Sequence, residues 1–303
     1  MLSPNEIRSQ ITNQIIEALT NGKLPPWRKP WSTDPNAPGL HTSLSTGNAY
    51  KGINQLILQL SATHQNFQSK WWGTYRQIKS SGAHVCRGEK ATRVVLWKPV
   101  SRKRTNDDGE EVDDDFLVMR EFCVFNAEQT DGLKQYRVGF AQPKQDTAER
   151  FEQADVVIGA TNADIRYGGN RAFYATDGDF IQCPFRHQFE SGESFFQTLA
   201  HELVHWSEHP TRLNWDRANE GYAMGELIAE IGGCFMMGEL GMPTTENLDN
   251  HASYLKHWLE GMNGDPKFIF RASSQATKAV EFLLSFSRIS APAEQPVLDD
   301  VPF

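Results

Sequence analysis

The chain has 303 residues, of which 39% are hydrophobic and 22% are charged, and its formal net charge is -8. This is the composition of an ordinary globular protein, long enough for one large domain or two smaller ones. No apolar stretch approaches the roughly 18 residues that a membrane-spanning helix needs, and the N-terminus lacks a signal-peptide pattern, which predicts a cytoplasmic protein without a membrane partner. The four cysteines lie far apart, as expected for reduced thiols.

The charges are distributed unevenly along the chain. Residues 1–104 contain 15 Lys/Arg against 4 Asp/Glu, whereas residues 105–303 contain 15 Lys/Arg against 34 Asp/Glu. Five of the eight tryptophans also lie in the basic part. A basic segment rich in aromatic residues, followed by an acidic one, predicts two domains with different partners.

The basic part begins with an amphipathic helix, whose apolar residues follow the helical period from Ile7 to Leu19. Prolines favour an extended conformation over residues 24–31. Further on we expect a short helix over 55–62, a helix that opens at 71–75 and ends at 81–82, and strands within 84–98 and over 116–125. The run 105–115 is so polar that it predicts a solvated hairpin loop between two of these strands.

Cationic and aromatic side chains alternate in this part, as sequence-tolerant binding of single-stranded nucleic acid requires. Cations follow the phosphates, and ring faces stack on unpaired bases at about 1–3 kcal/mol each. The candidate contacts are Trp27, Arg28, Lys29, Trp31, Lys51, Trp71, Trp72, Tyr75, Arg76, Arg87 and Lys90. The alternative is that the tryptophans form a core and that the charges belong to a solvated surface.

A polar, proline-containing segment at 142–146 predicts the domain boundary. The first domain is then 1–143, the second is 144–290, and the acidic residues 291–303 form a disordered tail. Two strands, 172–174 and 180–184, are expected to flank a turn at 177–179.

The strongest signal for chemistry is His201-Glu202-Leu203-Val204-His205, inside an apolar helical run. Residues four apart share one face of a helix, so both imidazoles can hold one metal ion. Glu202 follows the first histidine, where its carboxylate can act as the general base toward a water molecule at the ion. Two ligands, one base and an open coordination position are the layout of a zinc peptidase. The alternative is a helix with two surface histidines.

The surroundings of this pentad carry two further expectations. Ser194 and Gln197 have the spacing of a capping box, which predicts Ser194 as the N-cap of the metal helix. In a zincin-type domain, an edge strand just before that helix lies beside the cleft and can hold an extended peptide by strand addition. The strand at 180–184 is the candidate for this role.

The third ligand decides the class of metal site. A metzincin would have Gly at 208 and His at 211, where this chain has Glu208 and Thr211, so that class is excluded. Glu226 and Glu230 lie on one face of a second predicted helix, and their order resembles the Glu-x-x-x-Asp helix of gluzincins. This favours Glu226 as the ligand and Glu230 as the carboxylate that orients a ligand histidine, with the reverse as the alternative. The glycines Gly225, Gly232 and Gly233 are expected to let this helix pack closely.

The motifs together resemble the ArdC-type antirestriction proteins of conjugative plasmids, along nearly the whole chain. Four segments resemble that family's single-stranded-DNA-binding domain, which also occurs in some plasmid primases. They are residues 24–31, Thr46-Gly47-x-x-Tyr50-Lys51-Gly52-Ile53-Asn54, Trp72-x-Thr74-Tyr75 and Gly82-x-x-Val85-x-x-Gly88-Glu89-Lys90. Five further segments resemble the zincin-like metallopeptidase domain of the family. They are Asp179-x-Ile181, residues 201–206, Pro210-x-Arg212-Leu213, residues 222–230 and Tyr254-x-x-x-Trp258. Gly225 departs from the pattern, because a Glu is expected there.

We therefore expect an α+β protein of two domains, a basic single-stranded-DNA-binding domain followed by a mainly helical gluzincin-like domain with a small sheet. The resemblance implies antirestriction during conjugative transfer of single-stranded DNA. A divalent metal, with zinc expected, would be held by His201, His205 and Glu226, and a protein would be the substrate of the peptidase domain. A DNA-binding protector whose metal is structural is the main alternative. A metal-dependent nuclease is disfavoured, because nucleases use carboxylate-rich magnesium sites.

Overall fold

The computed structural model describes residues 3–21, 25–28, 34–37, 39–105, 111–140, 147–215, 221–244 and 252–287. The helices are α1 (Pro4–Thr20), α2 (Ile53–Gln65), α3 (Tyr75–Ser80), α4 (Thr147–Ala160), α5 (Gly192–Ser207), α6 (Tyr222–Glu239), α7 (Ala252–Gly264) and α8 (Phe268–Ser285). The strands are β1 (Thr42–Ser43), β2 (Trp71–Thr74), β3 (His84–Val85), β4 (Thr92–Thr105), β5 (Glu111–Asn126), β6 (Thr130–Asp131), β7 (Asp164–Tyr167), β8 (Phe173–Ala175) and β9 (Phe180–Cys183). None of these helices is long and apolar enough to cross a bilayer.

The N-terminal half is built on a four-stranded sheet with the order β1-β2-β5-β4. β4 lies at the edge, and the side chain of Asn54 covers part of it. The Asn54 amide donates to the carbonyl oxygen of Val95 at 2.7 Å and accepts from the Val95 N–H at 2.9 Å. A side chain thus takes the hydrogen bonds that a neighbouring strand would form, which reduces the exposed edge.

Two predictions for this half are wrong in detail. The helix expected to open at 71–75 begins at Tyr75, because residues 71–74 form β2 and Thr74 caps α3 by accepting from the Gln77 N–H. The loop expected over 105–115 is shorter, since β4 continues to 105 and β5 starts at 111. Cross-strand charges stabilise this extension. Lys103 is in register with Asp113 and forms an ion pair with Glu111 at 2.9 Å.

In the C-terminal half, α6 packs against α5 and α8, and a three-stranded sheet lies beside α5. The sheet order is β7-β9-β8, so β9 is the central strand. The expectation that the strand just before the metal helix is an edge strand is therefore wrong, because β7 pairs with β9 in parallel and leaves β8 as an edge. The predicted N-cap is also wrong. Helix α5 starts three residues earlier, and Ser191 is the cap, accepting from the Ser194 N–H at 3.1 Å.

One hydrophobic core joins the two halves. Buried side chains of α1, α2 and β2 belong to the same cluster as those of α5, α6 and α8. Polar contacts cross the same boundary, since the Thr12 hydroxyl donates to Pro266 O at 2.8 Å, the Gly52 N–H donates to Thr277 Oγ1 at 3.0 Å, and Lys51 pairs with Glu281. The predicted boundary at 143/144 and the predicted tail at 291–303 lie outside the described residues.

Candidate metal centre and nucleic-acid surface

The candidate metal centre lies between α5 and α6. His201 Nε2 is 3.6 Å from Glu226 Oε2, and His205 Nε2 is 3.4 Å from Glu226 Oε1. One donor atom from each of these three residues lies within 4.8 Å of the others, and no other group of three potential ligands occurs among the described residues. Two imidazole nitrogens and one carboxylate oxygen are the donor set of catalytic zinc sites, which leave a fourth position open. The residues present therefore fit a divalent ion.

Two glycines let the helices approach closely enough for this geometry. A β-carbon at Gly232 would lie 2.8 Å from Val204 Cγ2, and one at Gly233 would lie 3.3 Å from the backbone nitrogen of His201. Any larger residue would push α6 away from α5. The expectation of close packing is confirmed at these two positions.

Two further carboxylates lie next to the ligands in the chain, of which Glu202 is buried and Glu208 is half-buried. Glu202 follows His201 on α5 and is 8% exposed. Glu208, at the C-cap of α5, lies 3.3 Å from His205 Nδ1. A carboxylate on Nδ1 directs the other ring nitrogen, Nε2, toward the metal and fixes the ring orientation. Glu208 was not predicted to have this role, although its i+3 spacing from His205 is a signal in the sequence that could have revealed it.

The carboxylates shift the protonation equilibria of the metal-free centre. Burial alone would lower the pKa of His205, but hydrogen bonds to Glu208 and Glu226 outweigh burial and raise the pKa to about 9. Burial acts to raise the pKa of Glu226, yet its bonds to the two histidines hold that pKa well below the usual range. The centre thus favours an ionised carboxylate beside a protonated imidazole.

Glu230 lies one turn beyond Glu226, with its carboxylate held by the N-terminal half. Its Oε1 accepts from Arg28 Nε at 2.8 Å and from Trp27 Nε1 at 3.2 Å. Arg28 is 1% exposed and Trp27 is 2% exposed. Glu226 rather than Glu230 is in the ligand group. The assignment of Glu230 as the carboxylate that orients a ligand histidine stays a prediction.

These positions also correct the predicted DNA contacts. Trp27 and Arg28 are core residues, as is Trp72, which is 0% exposed and donates from Nε1 to His41 Nδ1 at 3.0 Å. A base cannot stack on a ring that has no exposed face, and a buried guanidinium cannot reach a phosphate, so these three residues are not DNA contacts in this structure. Lys29 and Trp31 lie outside the described residues.

The remaining candidates differ in exposure and in contacts. Tyr75 is 58% exposed, and Arg76, Arg87 and Lys90 are exposed as well. Tyr75 and Arg76 open α3, and α3 packs with β3 on a small separate hydrophobic cluster. Two candidates have other contacts. Trp71 is half-buried, with its ring centroid 5.0 Å from that of Tyr136, and Lys51 faces the other domain through its ion pair with Glu281.

A pair of tyrosines lies beside the metal ligands. The Tyr222 hydroxyl is 2.9 Å from the Tyr254 hydroxyl. The hydrogen bond to Tyr254, burial and the nearby charge of Glu226 raise the pKa of Tyr222. Its phenol therefore stays protonated and can donate a hydrogen bond in the neighbourhood of Glu226. Tyr254 was not among the predicted site residues.

The motif residues Asp179 and Arg212 tie the sheet to the segment after α5. Arg212 Nη1 donates to Asp179 Oδ2 at 2.9 Å, and the Tyr174 hydroxyl donates to Asp179 Oδ1 at 2.8 Å. The guanidinium also lies over the Trp206 ring, 4.0 Å from its centroid. Hydrogen bonds from Arg212 lower the pKa of Asp179 to about 2. This cluster holds the β8–β9 hairpin against the C-terminal end of the metal helix.

Comparisons with known proteins identify the family. The model of the N-terminal domain of the anti-restriction factor ArdC matches residues 5–125, and the model of a zincin-like metallopeptidase matches residues 152–275. The metal-free crystal structure of the antirestriction ArdC protein from plasmid R388 is 35% identical and covers 93% of this chain and 98% of its own, with a TM-score of 0.75. This chain belongs to the ArdC antirestriction family. The two-domain α+β class with a zincin-like second domain is thereby confirmed.

Other similar proteins extend the comparison. The Mn(II)-bound structure of the R388 protein is 34% identical, with a TM-score of 0.74 and the same coverage. An Escherichia coli protein named DNA primase TraC is 38% identical over 92% of this chain, and a second protein of that name is 35% identical. The chain spans 27% and 20% of the lengths of these two primases. An uncharacterised protein of Sinorhizobium fredii is 31% identical and is covered over 92% of its length.

Proposed function

We propose that this ArdC-family protein binds single-stranded DNA through its N-terminal domain during conjugative transfer and carries a metal-dependent peptidase in its C-terminal domain. The observation that carries the peptidase proposal is the convergence of His201, His205 and Glu226 beside the buried Glu202. The exposed aromatic and cationic residues at the start of α3 support the DNA-binding proposal. The relatives named antirestriction protein and DNA primase suggest the plasmid context.

In the proposed reaction, His201, His205 and Glu226 would hold the ion, with zinc expected from the donor set and Mn(II) present in the R388 relative. The ion would supply Lewis acidity, which lowers the pKa of water toward about 7 and polarises a carbonyl. Glu202 takes the proton of the attacking water and returns it to the leaving amine. The Tyr222 hydroxyl donates a hydrogen bond to the carbonyl oxygen as negative charge develops there.

Strand β8 is the proposed binding edge for an extended substrate. It lies at one edge of the sheet beside α5, and Phe173 on this strand is partly exposed. A peptide added to β8 would gain main-chain hydrogen bonds, while exposed side chains such as Phe173 would select among sequences. This proposal replaces the strand at 180–184, whose two sides are already paired.

The substitution Glu202→Gln tests the peptidase proposal. It preserves the shape of the side chain and all three ligands, but it removes the base. We expect metal bound at the wild-type stoichiometry and casein hydrolysis lowered by about 10²-fold or more. Glu193→Gln, in the first turn of the same helix, is the matched control and should retain wild-type turnover. Undiminished hydrolysis by Glu202→Gln would contradict the mechanism.

A DNA-binding protector with a structural metal is the second candidate. The ligands come from two core helices, so an ion there would cross-link α5 to α6 and stabilise the fold. In that case Glu202→Gln would keep full antirestriction in a conjugation assay with a restricting recipient, while chelation would lower the melting temperature. Loss of antirestriction in Glu202→Gln would favour the peptidase instead.

A gel-shift titration tests the DNA-binding proposal. We expect the protein to prefer a single-stranded oligonucleotide to a duplex and to lose affinity as the salt concentration rises. Tyr75→Ala should weaken binding by about 5- to 150-fold, because it removes one stacking platform. Tyr167→Ala, which alters an aromatic side chain of comparable exposure (48%) in the other domain, should have no effect. Equal affinities for Tyr75→Ala and wild type would place the DNA elsewhere.

A further inference from the structure

Residues 25–28 belong to the N-terminal half, but they lie in the core of the zincin-like half. The Trp27 ring packs edge-to-face on Trp258 of α7, with the centroids 6.0 Å apart. Beside it, the Arg28 guanidinium forms an ion pair with Glu230 of α6 at 2.8 Å. Both partners of this pair are at most 3% exposed.

A fully buried ion pair carries a large desolvation penalty, because both charges are removed from water. Their mutual attraction offsets this penalty only when the geometry is good. Here the pair lies in a region crowded with acidic groups. The carboxylates of Glu202, Glu226 and Glu230 are buried on the two metal helices, and Glu208, at the end of α5, is half-buried. Arg28 brings a permanent positive charge to this region, and it comes from a segment about 200 residues away in the chain.

Glu230 connects this charge to the metal ligands. It lies one helical turn from Glu226, so the two side chains project from the same face of α6. Gly233, on the same face a further turn along, lies against the backbone of His201. A displacement of Glu230 therefore moves the part of α6 that sets the distance between Glu226 and the two histidines.

We infer that Arg28 is a positioning residue of the metal centre, which fixes the Glu230 carboxylate and thereby keeps Glu226 within ligand distance of both histidines. Trp27 assists through its second hydrogen bond to the same carboxylate oxygen. The inference rests on the proposed metal site and adds that the centre is assembled from both halves of the chain. The segment that bears Trp27 and Arg28 is then part of the metal machinery rather than of a DNA surface.

Metal affinity measured on the full chain tests this inference. The probe is Mn(II) added to chelator-treated protein, with the free ion followed by electron paramagnetic resonance. Arg28→Met removes the charge and keeps the aliphatic stem, and we expect it to weaken Mn(II) binding by about 10- to 100-fold, as loss of an outer partner does at other metal sites. Arg28→Lys should restore part of the affinity, because it returns the charge without the planar fork.

The control separates positioning from general stability. Leu58→Ala creates a cavity in α2, so it should lower the melting temperature and leave Mn(II) affinity unchanged. A folded Arg28→Met protein with wild-type affinity would overturn the inference. If Arg28→Met does not fold, Trp27→Phe decides, because it removes one hydrogen bond to Glu230 and keeps a ring; a several-fold loss supports the inference, and wild-type affinity overturns it. Failure of the wild-type protein to bind Mn(II) would instead refute the metal site itself.

Discussion

The two ring nitrogens of His205 face different carboxylates. Nδ1 is paired with Glu208 on the same helix, and Nε2 is paired with Glu226 on the neighbouring helix. In the metal-free protein both nitrogens can therefore hold a proton, and the imidazolium is stabilised. An ion can bind only the neutral ring, so metal and proton compete for one nitrogen.

This competition predicts a pH dependence of metal binding. The pKa of His205 is raised from 6.5 to about 9, so its charged form stabilises the metal-free fold fully below pH 6.5, and that stabilisation is lost as the pH rises through about 9. We expect about one proton released per Mn(II) bound at pH 7. Apparent affinity should rise about tenfold per pH unit and level off above pH 9.

Calorimetric titration in two buffers with different ionisation enthalpies measures the released proton. Glu208→Gln is the informative variant, because loss of the Nδ1 partner lowers the pKa of His205 and should reduce proton release at pH 8. Proton release that is absent at pH 7 in the wild-type protein would contradict the assigned pairing.

Residue spacing predicted part of this centre. His201, Glu202 and His205 are defined by local spacing on one helix, and Glu226 by its place in a second apolar helix. The partner of Glu230 had no local signal, because Arg28 lies 202 residues away. Trp27 and Trp72 were misassigned since an aromatic residue among cations has the same pattern whether its ring packs in a core or faces a base.

At the scale of elements, the distance between α5 and α6 decides whether three side chains can share one ion. Helices with ordinary side chains at the contact lie 8–10 Å apart. The glycines on α6 allow a closer approach at His201 and Val204. The sequence predicted this role for Gly232 and Gly233. It did not predict β7, although the four residues 164–167 alternate between polar and apolar, and the position of β9 in the sheet was wrong for that reason.

The substitution Gly232→Ala should separate the two helices. Its methyl group would lie 2.8 Å from Val204 Cγ2, and such overpacking costs about 1–3 kcal/mol, which exceeds the gain of about 0.5–1 kcal/mol in helix propensity. We expect a lower urea midpoint and weaker Mn(II) binding. The second-site change Val204→Ala should recover both, because it removes the atoms that the methyl group meets.

A matched glycine provides the control. Gly159 lies in α4, where an added β-carbon would meet no atom within 4 Å, so Gly159→Ala should be neutral or slightly stabilising. If Gly232→Ala behaves like Gly159→Ala, the added methyl group does not push α6 away from α5. The close approach of the two helices then does not depend on the glycine at 232.

At the scale of the whole molecule, the uneven charge suggested two domains that meet different partners, but the domains share a core and a buried ion pair. The cation Lys51 faces Glu281 across the domain interface, and Arg28 pairs with Glu230 inside it. Part of the positive charge of the first domain therefore neutralises the acidic second domain. Composition identified the two domains, but it could not distinguish charges that face a partner from charges that face the other half.

A shared core predicts that the two halves unfold together. Side chains of α2 in the first half and of α6 in the second belong to one hydrophobic cluster, and separating the halves would expose Trp27 and leave Glu230 without Arg28. We expect one calorimetric transition, with equal calorimetric and van't Hoff enthalpies. Mn(II) at 100 times its dissociation constant should stabilise the whole unit by about 2.7 kcal/mol. Hydrogen exchange then gives a residue-level check, because amides of α2 should slow on metal addition as much as those of α6. Metal-dependent protection confined to α5 and α6 would mean that the N-terminal half folds on its own and that the interface transmits no stability.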